Sequence, residues 1–483
     1  MEIKEEFNLA KESWLLFGIA VPAIAVQFSV LFIFPQTASK VGRDLGTEYL
    51  AGFSLASLTS NLTILSIMVG SLSAADTLMP RAYGTGQYEE VGRLAVRSFM
   101  MCGILLIIPI VPLWTATESI FDALGQDPVA SKLASEWIKV YLLAVPSILL
   151  FRVTQSFLNA QRAVTPLVVA SLSSCFLVHP FLLHIMIPWF GFLGSGLALT
   201  ITQTTTAILV FLYLGIRQEH KALTWPGLSW SFLKKSIKPR DVLSFLSLSL
   251  GGVLSLSEWW FWETNCFIVG SLGIVPLCVH TIAYNIVPLL YMISLGIGIG
   301  LTVRIGTVLA VDVARAKKMA AWCMGLMLIV ATVVVSALYI LRAQIIQLFT
   351  NDKKVVQGCE AIWPKLCSYV FILYVGGINF AIHRALGLQW RMAIIILSCL
   401  WCFTFPLIIY FVIIRKGGVN ALWTILPLCA LVMQIIFVLS YTTVSWERIG
   451  KRILEESRRK SVRQPQKNKL QQHIEATEGT QLL

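Results

Sequence analysis

The stretch RQEHKALTWPGLSWSFLKKSIKPR, residues 217–240, divides the chain into two parts that are both strongly apolar. It holds six basic residues and one acidic residue. The segments on either side contain repeated apolar runs of about 20 residues, which is long enough for a helix to cross a bilayer. The sequence therefore predicts a membrane protein in which a polar connection joins two membrane-embedded halves.

The composition supports this interpretation. Of the 483 residues, 57% are hydrophobic and 13% are charged, and the mean hydropathy is +0.76. A soluble chain carries roughly 25% charged residues, so this chain lacks the charges that soluble domains need at their surfaces. Helices are expected, because an open sheet would leave unpaired backbone groups in hydrocarbon. We expect an all-α protein with twelve spans, near residues 13–36, 50–79, 94–115, 133–155, 166–188, 192–216, 241–270, 277–303, 319–343, 361–383, 391–414 and 419–443.

The basic residues predict the orientation of these spans. Loops rich in Lys and Arg stay on the cytoplasmic side of a membrane. The 217–240 loop is basic, and the tail after Ser445 holds nine Lys or Arg against five Glu. The connection ESIFDALGQDPVASK, on the opposite side, is net acidic, and only RKGG at 415–418 disagrees with the pattern. We therefore expect both termini in the cytoplasm.

The two halves resemble each other at a nearly constant distance along the chain. Arg304 lies 223 positions after Arg81, and Asp352 lies 225 positions after Asp127. Three further pairs are 226, 228 and 226 positions apart: Trp137 with Trp363, Gln161 with Gln389, and Gly191 with Gly417. With six helices in each half, the repeats are parallel and related by an axis along the membrane normal. The predicted units are an N-terminal lobe (1–216), a cytoplasmic linker (217–240), a C-terminal lobe (241–443) and a polar cytoplasmic tail (444–483).

Two carboxylates, Glu258 and Glu263, lie in the stretch LSEWWFWETN (256–265) inside the predicted seventh span. A charged side chain at bilayer depth costs about 2.5–3.5 kcal/mol on insertion scales. Five positions correspond to about 140° around a helix, so the two side chains do not share one face. Because burial disfavours the charged form of a carboxyl group, at least one of them is predicted to load and release a proton. The alternative is a structural role satisfied by neighbouring donors, although few Lys or Arg are expected at comparable depth.

Tryptophans flank these glutamates at positions 259, 260 and 262. An aromatic wall beside a carboxylate suits an organic cation, through cation–π attraction and apolar contact. Three tryptophans so close in sequence cannot all face one cavity, so at least one packs helices or faces lipid. Polar residues at depth form helix–helix hydrogen bonds or contact a ligand. The candidate site comprises the two glutamates and a further set of residues: Trp259, Tyr284, Asn285, Asn61 and Gln27.

No other motif predicts chemistry. The ten cysteines have no spacing typical of a disulfide framework or a zinc site. His179 and His184 are five positions apart, which does not place two metal ligands on one helix face. No phosphate-binding loop for ATP occurs, and the basic residues follow membrane topology rather than a nucleic-acid pattern. We expect no cofactor, no metal site and no nucleic-acid partner.

Several stretches resemble the multidrug and toxic compound extrusion (MATE) family. NLTILSIMVGSLSAADTLMPRAYG at 61–84 resembles the second helix of the family and keeps five motif residues: Asn61, Asp76, Thr77, Tyr83 and Gly84. FLNAQRAVTP at 157–166 and TVRIGTVLAVDVARAKK at 302–318 resemble two of its loops. EWWFWE at 258–263 resembles the seventh helix of animal-type members. The resemblance covers about residues 10–443.

The resemblance implies a fold of two six-helix lobes in a V with a cavity between them, and export of organic cations against protons or sodium. It also implies that Glu258 takes part in binding protons and organic cations. The chain departs from the family at several positions. Animal-type members carry a further Glu at the position of Asn285 and an acidic residue near Leu373 or Tyr374, and this chain has neither. Arg81 replaces the usual Gln.

The predicted function is a secondary antiporter, working as a monomer in the lipid bilayer, that exports organic cations or xenobiotics in exchange for protons. A first alternative is a flippase of lipid-linked or polysaccharide substrates, which would need Arg or Lys in its cavity to bind phosphate. Sodium coupling is a second alternative. A membrane-embedded enzyme is the third, and no catalytic motif supports it.

The last six residues, EGTQLL at 478–483, predict a sorting signal. Glu478 followed by Leu482 and Leu483 matches the acidic dileucine pattern that clathrin adaptors bind. The tail is polar, so it is expected to be accessible to a partner. The predicted location is the plasma membrane, endosomal–lysosomal membranes or both. A chance match of so short a pattern is the alternative.

Overall fold

The computed structural model describes residues 9–123, 128–217, 222–225, 227, 229–349, 352–456 and 458. In this part of the chain every regular element is a helix. Eleven helices are long and apolar enough to cross a membrane, and one pair bent by 52° forms a twelfth span. Spans 1 to 12 are Ala10–Asp44, Glu48–Gly84, Tyr88–Ala123, Pro128–Leu142 with Val145–Gln161, Thr165–Phe190, Phe192–Ile216, Pro239–Gly270, Val275–Val308, Val313–Ile340, Lys353–Leu386, Gln389–Ile414 and Gly418–Thr442. The predicted all-α class is confirmed, and most helices extend several residues beyond the predicted apolar runs.

Apolar side chains cover the outer surface of the helices. Large residues that are more than half exposed occur in most spans, for example Ile108, Phe181, Ile329, Ile394 and Leu439. A soluble protein does not expose apolar surface on this scale. The outer surface is therefore suited to contact with the hydrocarbon chains of lipids.

Spans 4, 5 and 7 are not continuous straight α-helices, and in spans 4 and 5 a proline lies at the irregular position. Span 4 bends just before Pro146. In span 5 the π-helical turn Ser174–Val178 precedes Pro180, which has no N–H for the regular helical hydrogen bond. Span 7 consists of two pieces, Pro239–Ser255 and Ser257–Gly270. Breaks of this kind free backbone groups inside the membrane region, and the break in span 7 lies beside the predicted site.

Each half of the chain has its own hydrophobic core. One core is built mainly from residues 26–214 and the other mainly from residues 261–446. The exceptions are reciprocal: Leu16 and Ala20 of span 1 join the C-terminal core, and Phe245 of span 7 joins the N-terminal core. Spans 1 and 7 are the first spans of the two repeats, and the N-terminal part of each packs in the core of the opposite lobe.

One set of contacts between the lobes lies at an end of the molecule. Residues 84–88 connect spans 2 and 3 there, and residues 308–313 connect spans 8 and 9. A Cβ atom added to Gly84 would lie 2.1 Å from the carbonyl oxygen of Thr307, so only glycine permits this approach. Gly84 and Thr307 are 223 positions apart, the same spacing as the arginine pair of the repeat. The two repeat-related loops therefore touch each other, and we call this end, the predicted cytoplasmic side, the closed end.

Charged side chains also form contacts between helices at the closed end. Glu12 of span 1 is 1% exposed and accepts hydrogen bonds from Arg304 at 2.6 Å and from Nε of Arg315 at 2.8 Å. Arg81 of span 2 donates to the carbonyl oxygen of Ala385 in span 10 at 2.6 Å. The repeat-related arginines thus have different partners: Arg81 bridges the lobes through a carbonyl oxygen, and Arg304 ties the start of span 1 to span 8 through a carboxylate.

Candidate functional site

Glu258 lies where span 7 is broken. The second piece of the span begins at Ser257, so Glu258 is in its first turn. Backbone N–H groups of a first helical turn lack partners within the helix and favour a nearby negative charge. The break therefore provides a favourable position for a carboxylate inside an otherwise apolar span.

The carboxyl group of Glu258 has no partner among the described residues. Its side chain is half-buried, and within the described part of the chain it forms no hydrogen bond or ion pair. Tyr291 of span 8 and Tyr369 of span 10 lie within electrostatic reach of it. An acidic group that is shielded from water and unpaired in this way is available to a proton or to a cationic ligand.

Glu263 has different surroundings. Its carboxylate accepts a hydrogen bond from the hydroxyl group of Tyr284 in span 8. The two glutamates of span 7 are therefore not equivalent, as their separation of about 140° around the helix requires. Tyr284 and Glu263 are both in the predicted site, and the structure brings these two side chains together.

The tryptophans of span 7 point in different directions. Trp262 contacts the rings of Tyr369 and Trp423, with centroids 5.2 and 6.1 Å away. Trp260 crosses to the other lobe and donates from its indole nitrogen to the carbonyl oxygen of Leu62 at 3.0 Å. Trp259 is half-buried and forms no ring-to-ring contact within the described residues. The aromatic cluster beside the glutamates is thus built on Trp262, which the sequence did not single out, and a substrate contact of Trp259 stays a prediction.

The predicted amides are spread over the molecule. Gln27 of span 1 accepts a hydrogen bond from Arg152 of span 4 at 2.7 Å, inside the N-terminal lobe. Asn61 is half-buried at the start of a π-helical turn in span 2. Asn285 is exposed and donates to the carbonyl oxygen of Thr281, one turn earlier in its own helix. Within the described residues none of these three forms a hydrogen bond with Glu258, and their roles stay predictions.

A second group of polar residues lies between the lobes towards the closed end. Asp76 and Ser156 of the N-terminal lobe and Tyr291 and Arg384 of the C-terminal lobe line a cavity of about 30 Å³. A cavity of that size has room for about one or two water molecules. The sequence contained a signal for this group, because Asp76 is a charged residue within an apolar span.

Two arginines, Arg152 and Arg384, lie partly buried within the spans, and within the described residues neither forms an ion pair with Glu258 or Glu263. Arg152 is in the middle of the second piece of span 4, and Arg384 reaches the cavity from the last turn of span 10. Arg152 is tolerated there because amide oxygens of Gln27 and Gln155 accept its hydrogen bonds, at 2.7 and 3.2 Å.

The histidines provide no metal site in the described residues. His179 hydrogen-bonds to Thr37 and to Thr202, each at 2.9 Å, so it serves as a polar link within the lobe. His280 is fully buried beside Trp262, and neither of its ring nitrogens has a partner. In the part of the chain that the structure describes, no three His, Cys, Asp or Glu side chains cluster as metal ligands do.

The sequence is similar to those of known membrane transporters. The sequence profile of the MatE family matches residues 22–185 and 252–411. Multidrug and toxin extrusion protein 1 of Mus musculus is 30% identical over 443 residues, covering 90% of this chain and 75% of that protein. The protein of the same name in Homo sapiens is 28% identical over 441 residues, with coverage of 90% and 75%.

A solved structure shows the same fold. The crystal structure of the eukaryotic MATE transporter AtDTX14 superposes with a TM-score of 0.85 at 22% identity, covering 93% of this chain and 99% of that one. The two-lobe architecture of twelve spans is therefore confirmed. The profile match extends over both lobes and more than half of the chain, and it identifies a transporter rather than an enzyme. This multi-pass membrane protein belongs to the MatE family of multidrug and toxin extrusion transporters.

Proposed function

We propose that this transporter exports organic cations in exchange for protons, and that Glu258 is the residue for which the proton and the cation compete. The observation that carries the proposal is the unpaired, half-buried carboxyl group of Glu258 at the break of span 7. The names of the relatives support a broad range of drug-like substrates, and the aromatic cluster around Trp262 supports the cationic class.

The coupling follows from the cost of closing the lobes over a charge. When the two lobes enclose Glu258, an empty ionised carboxylate loses contact with water and becomes unfavourable. A bound proton removes the charge, and a bound organic cation balances it. The carrier therefore changes the side to which it opens when Glu258 holds one or the other, and a net exchange results.

Transport into proteoliposomes tests this proposal. The purified full chain is reconstituted, and uptake of a rhodamine methyl ester, a permanent cation, is followed by fluorescence under an imposed pH gradient without sodium. We expect uptake that depends on the pH gradient and is absent from protein-free vesicles. Uptake that instead requires a sodium gradient and ignores the pH gradient would support the sodium-coupled alternative and overturn proton exchange.

We also propose that both termini face the cytoplasm and that the protein resides in the plasma membrane, in endosomal–lysosomal membranes or in both. The distribution of Lys and Arg supports the orientation. Glu478, Leu482 and Leu483, the basis of the proposed adaptor binding, lie outside the described residues. Imaging of a variant with both leucines changed to alanine tests the signal, and a distribution identical to that of the parent protein would exclude it.

A further inference from the structure

A short helix between the two halves of the chain lies against the first turns of span 3. This linker helix, Trp230–Ser236, begins after Ser229, whose hydroxyl oxygen accepts a hydrogen bond from the backbone N–H of Phe232. Phe232 and Ser236, one turn apart, are both buried. Nε of Arg97 in span 3 donates to the carbonyl oxygen of Ser236 at 2.9 Å. The linker helix is therefore held in one orientation, with one of its faces on span 3.

The linker helix runs beside span 3 towards the bilayer. Phe232 lies near Gly92, because a Cβ atom added to that glycine would be 3.3 Å from the phenylalanine ring. Ser236 lies at Arg97, which is five residues, or about 7.5 Å, further along span 3. Span 3 starts at the closed end with Tyr88, so this direction leads from the predicted cytoplasm into the membrane.

The end of the linker helix is at the level of the lipid headgroups. The large exposed apolar side chains of span 3 begin at Phe99, two residues beyond Arg97. In span 7 they begin at Leu243, which is 71% exposed. These side chains mark the edge of the hydrocarbon, and the headgroup region extends about 5–7 Å beyond that edge. Residues 234–240 therefore lie in or next to the headgroup region.

This short region carries a concentration of positive charge, which we call the basic patch. The basic patch consists of four exposed side chains: Lys234, Lys235, Lys238 and Arg240. Lys234 is two positions from each of the buried residues Phe232 and Ser236, which corresponds to about 200° around the helix. Its side chain therefore points away from span 3 and is accessible to a partner outside the protein.

The acidic residue beside the basic patch does not neutralise it. Asp241 faces the guanidinium group of Arg97 in span 3 at 3.5 Å. Within the described residues, no ion pair involves Lys234, Lys235 or Arg240. The patch thus keeps an excess of positive charge at a membrane surface, where such clusters attract anionic lipids.

We propose that the basic patch binds the headgroups of anionic phospholipids, such as phosphatidylserine, in the leaflet at the closed end. Ammonium and guanidinium groups form charge-assisted hydrogen bonds with the phosphate and carboxylate of this headgroup. The patch is open and lies next to the edge of the hydrocarbon, which favours a membrane lipid over a soluble phosphate ester. The bound lipids hold the linker helix, and with it the start of span 7, at the level of the headgroups.

Quenching of a fluorophore by spin-labelled lipids tests this inference. Leu243→Cys places a bimane label on the lipid-facing start of span 7, in a background in which the exposed Cys278 and Cys402 are changed to alanine. The full chain is reconstituted in phosphatidylcholine vesicles that contain a small fraction of either phosphatidylserine or phosphatidylcholine with a nitroxide on one acyl chain. The ratio of the two quenching strengths measures the local enrichment of the anionic lipid. Both leaflets contain the quencher, so the result does not depend on the orientation of the protein.

For the parent protein we expect a ratio well above one at low salt and a smaller ratio at high salt, because mobile ions screen the attraction. Lys234→Gln combined with Lys235→Gln removes two charges, each of which contributes about a factor of five near an anionic membrane surface. This variant is expected to bring the ratio close to one. Lys353→Gln combined with Lys354→Gln, at an exposed pair away from the closed end, is the matched control and is expected to leave the ratio unchanged.

Other outcomes would overturn the inference. A ratio near one in the parent protein at low salt would show that no anionic lipid gathers at this position. A ratio that falls equally in the variant and in its control would assign the enrichment to the overall charge of the protein, as would an equal enrichment around a bimane on Ile340→Cys, at the far end of span 9. Loss of the enrichment on addition of soluble glycerophosphoserine would show that the patch binds free phosphate esters instead. Because no transport is measured, none of these results bears on the proposed function.

Discussion

Glu12 and Glu258 are two carboxylates within the membrane spans, and their surroundings are opposite. Glu12 is enclosed between two arginines of spans 8 and 9, at 2.6 Å from Arg304 and 2.8 Å from Arg315. Glu258 lies half-buried between the lobes with no partner among the described residues. A paired carboxylate is satisfied in one arrangement of the lobes, whereas an unpaired one is ready to bind a proton or a ligand. The comparison separates a carboxylate that holds the structure together from one that is available for transport.

The pairing of Glu12 also has a consequence for the conformational change. The first turns of span 1 pack in the C-terminal core, so the two ion pairs tie span 1 to spans 8 and 9, and an opening that pulls span 1 away from them must separate Glu12 from Arg304 and Arg315. Once exposed to water, all three side chains become hydrated, so separation is feasible there. The triad of Glu12, Arg304 and Arg315 therefore contributes to the free-energy difference between the closed and the opened arrangement of the closed end. Whether Glu258 holds a proton or a cation decides when the lobes change from one arrangement to the other.

The largest effect is expected for Glu258→Gln. Glutamine fills nearly the same space but neither binds a proton nor carries a charge. We expect loss of pH-driven dye uptake and normal insertion, because no partner of Glu258 is left unpaired. Uptake in proteoliposomes is the measurement, and Glu360→Gln, at an exposed glutamate in span 10, is the matched control. Full uptake by Glu258→Gln at equal protein amounts would show that the unpaired carboxylate has no role in coupling, and the proposed difference in function between Glu258 and Glu12 would be wrong.

Glu12→Gln is expected to act on stability. Removing one member of a buried ion pair costs about 3–5 kcal/mol, because the remaining charges lose their partner. Arg304 and Arg315 would both be affected. We expect a lower melting temperature in detergent and faster labelling of a cysteine placed at Thr302, which faces the cavity between the lobes. A variant as stable as the parent, with unchanged labelling, would show that the triad does not hold the closed end.

The sequence predicted the fold because the signals for it are local. Apolar runs mark the spans, and the constant offset between the halves marks the repeat. The same offset relates Gly84 to Thr307, the residues that meet where the lobes touch. The contact itself was not predicted, because an offset shows which residues are equivalent but not which of them lie at the axis.

The site was predicted only in part, for a physical reason. Glu258 and Glu263 were identified because a charge in an apolar run is visible in the sequence. The choice between Trp259 and Trp262 depends on the rotation of span 7, and a helix that is apolar all round gives no signal for its rotation. Arg384 belongs to the last turn of span 10 in the sequence, and only the packing of the lobes brings it to a cavity that Asp76 also lines.

Gly84→Val tests whether packing or charge dominates at the closed end. A valine side chain would collide with the carbonyl oxygen of Thr307, since even its first carbon atom would lie 2.1 Å away. Overpacking of a close contact costs about 1–3 kcal/mol, less than the loss of Glu12. We expect faster labelling of the cysteine at Thr302 than in the parent, but slower than in Glu12→Gln. Labelling faster than in Glu12→Gln would reverse the order and show that helix contact, rather than the ion triad, holds the lobes together.

Glu263→Gln is expected to have the smallest effect on transport, because Glu263 is intermediate between the other two carboxylates. Among the described residues it has one neutral partner, the hydroxyl group of Tyr284, where Glu12 has two cationic partners and Glu258 has none. Loss of one hydrogen bond of ordinary strength corresponds to about 1 kcal/mol, or roughly a fivefold change in a rate or affinity. We expect dye uptake to fall by no more than that amount, and Tyr284→Phe to have a similar effect because it breaks the same bond. Uptake abolished by Glu263→Gln and retained by Glu258→Gln would exchange the roles of the two glutamates and place proton binding at the Tyr284 contact.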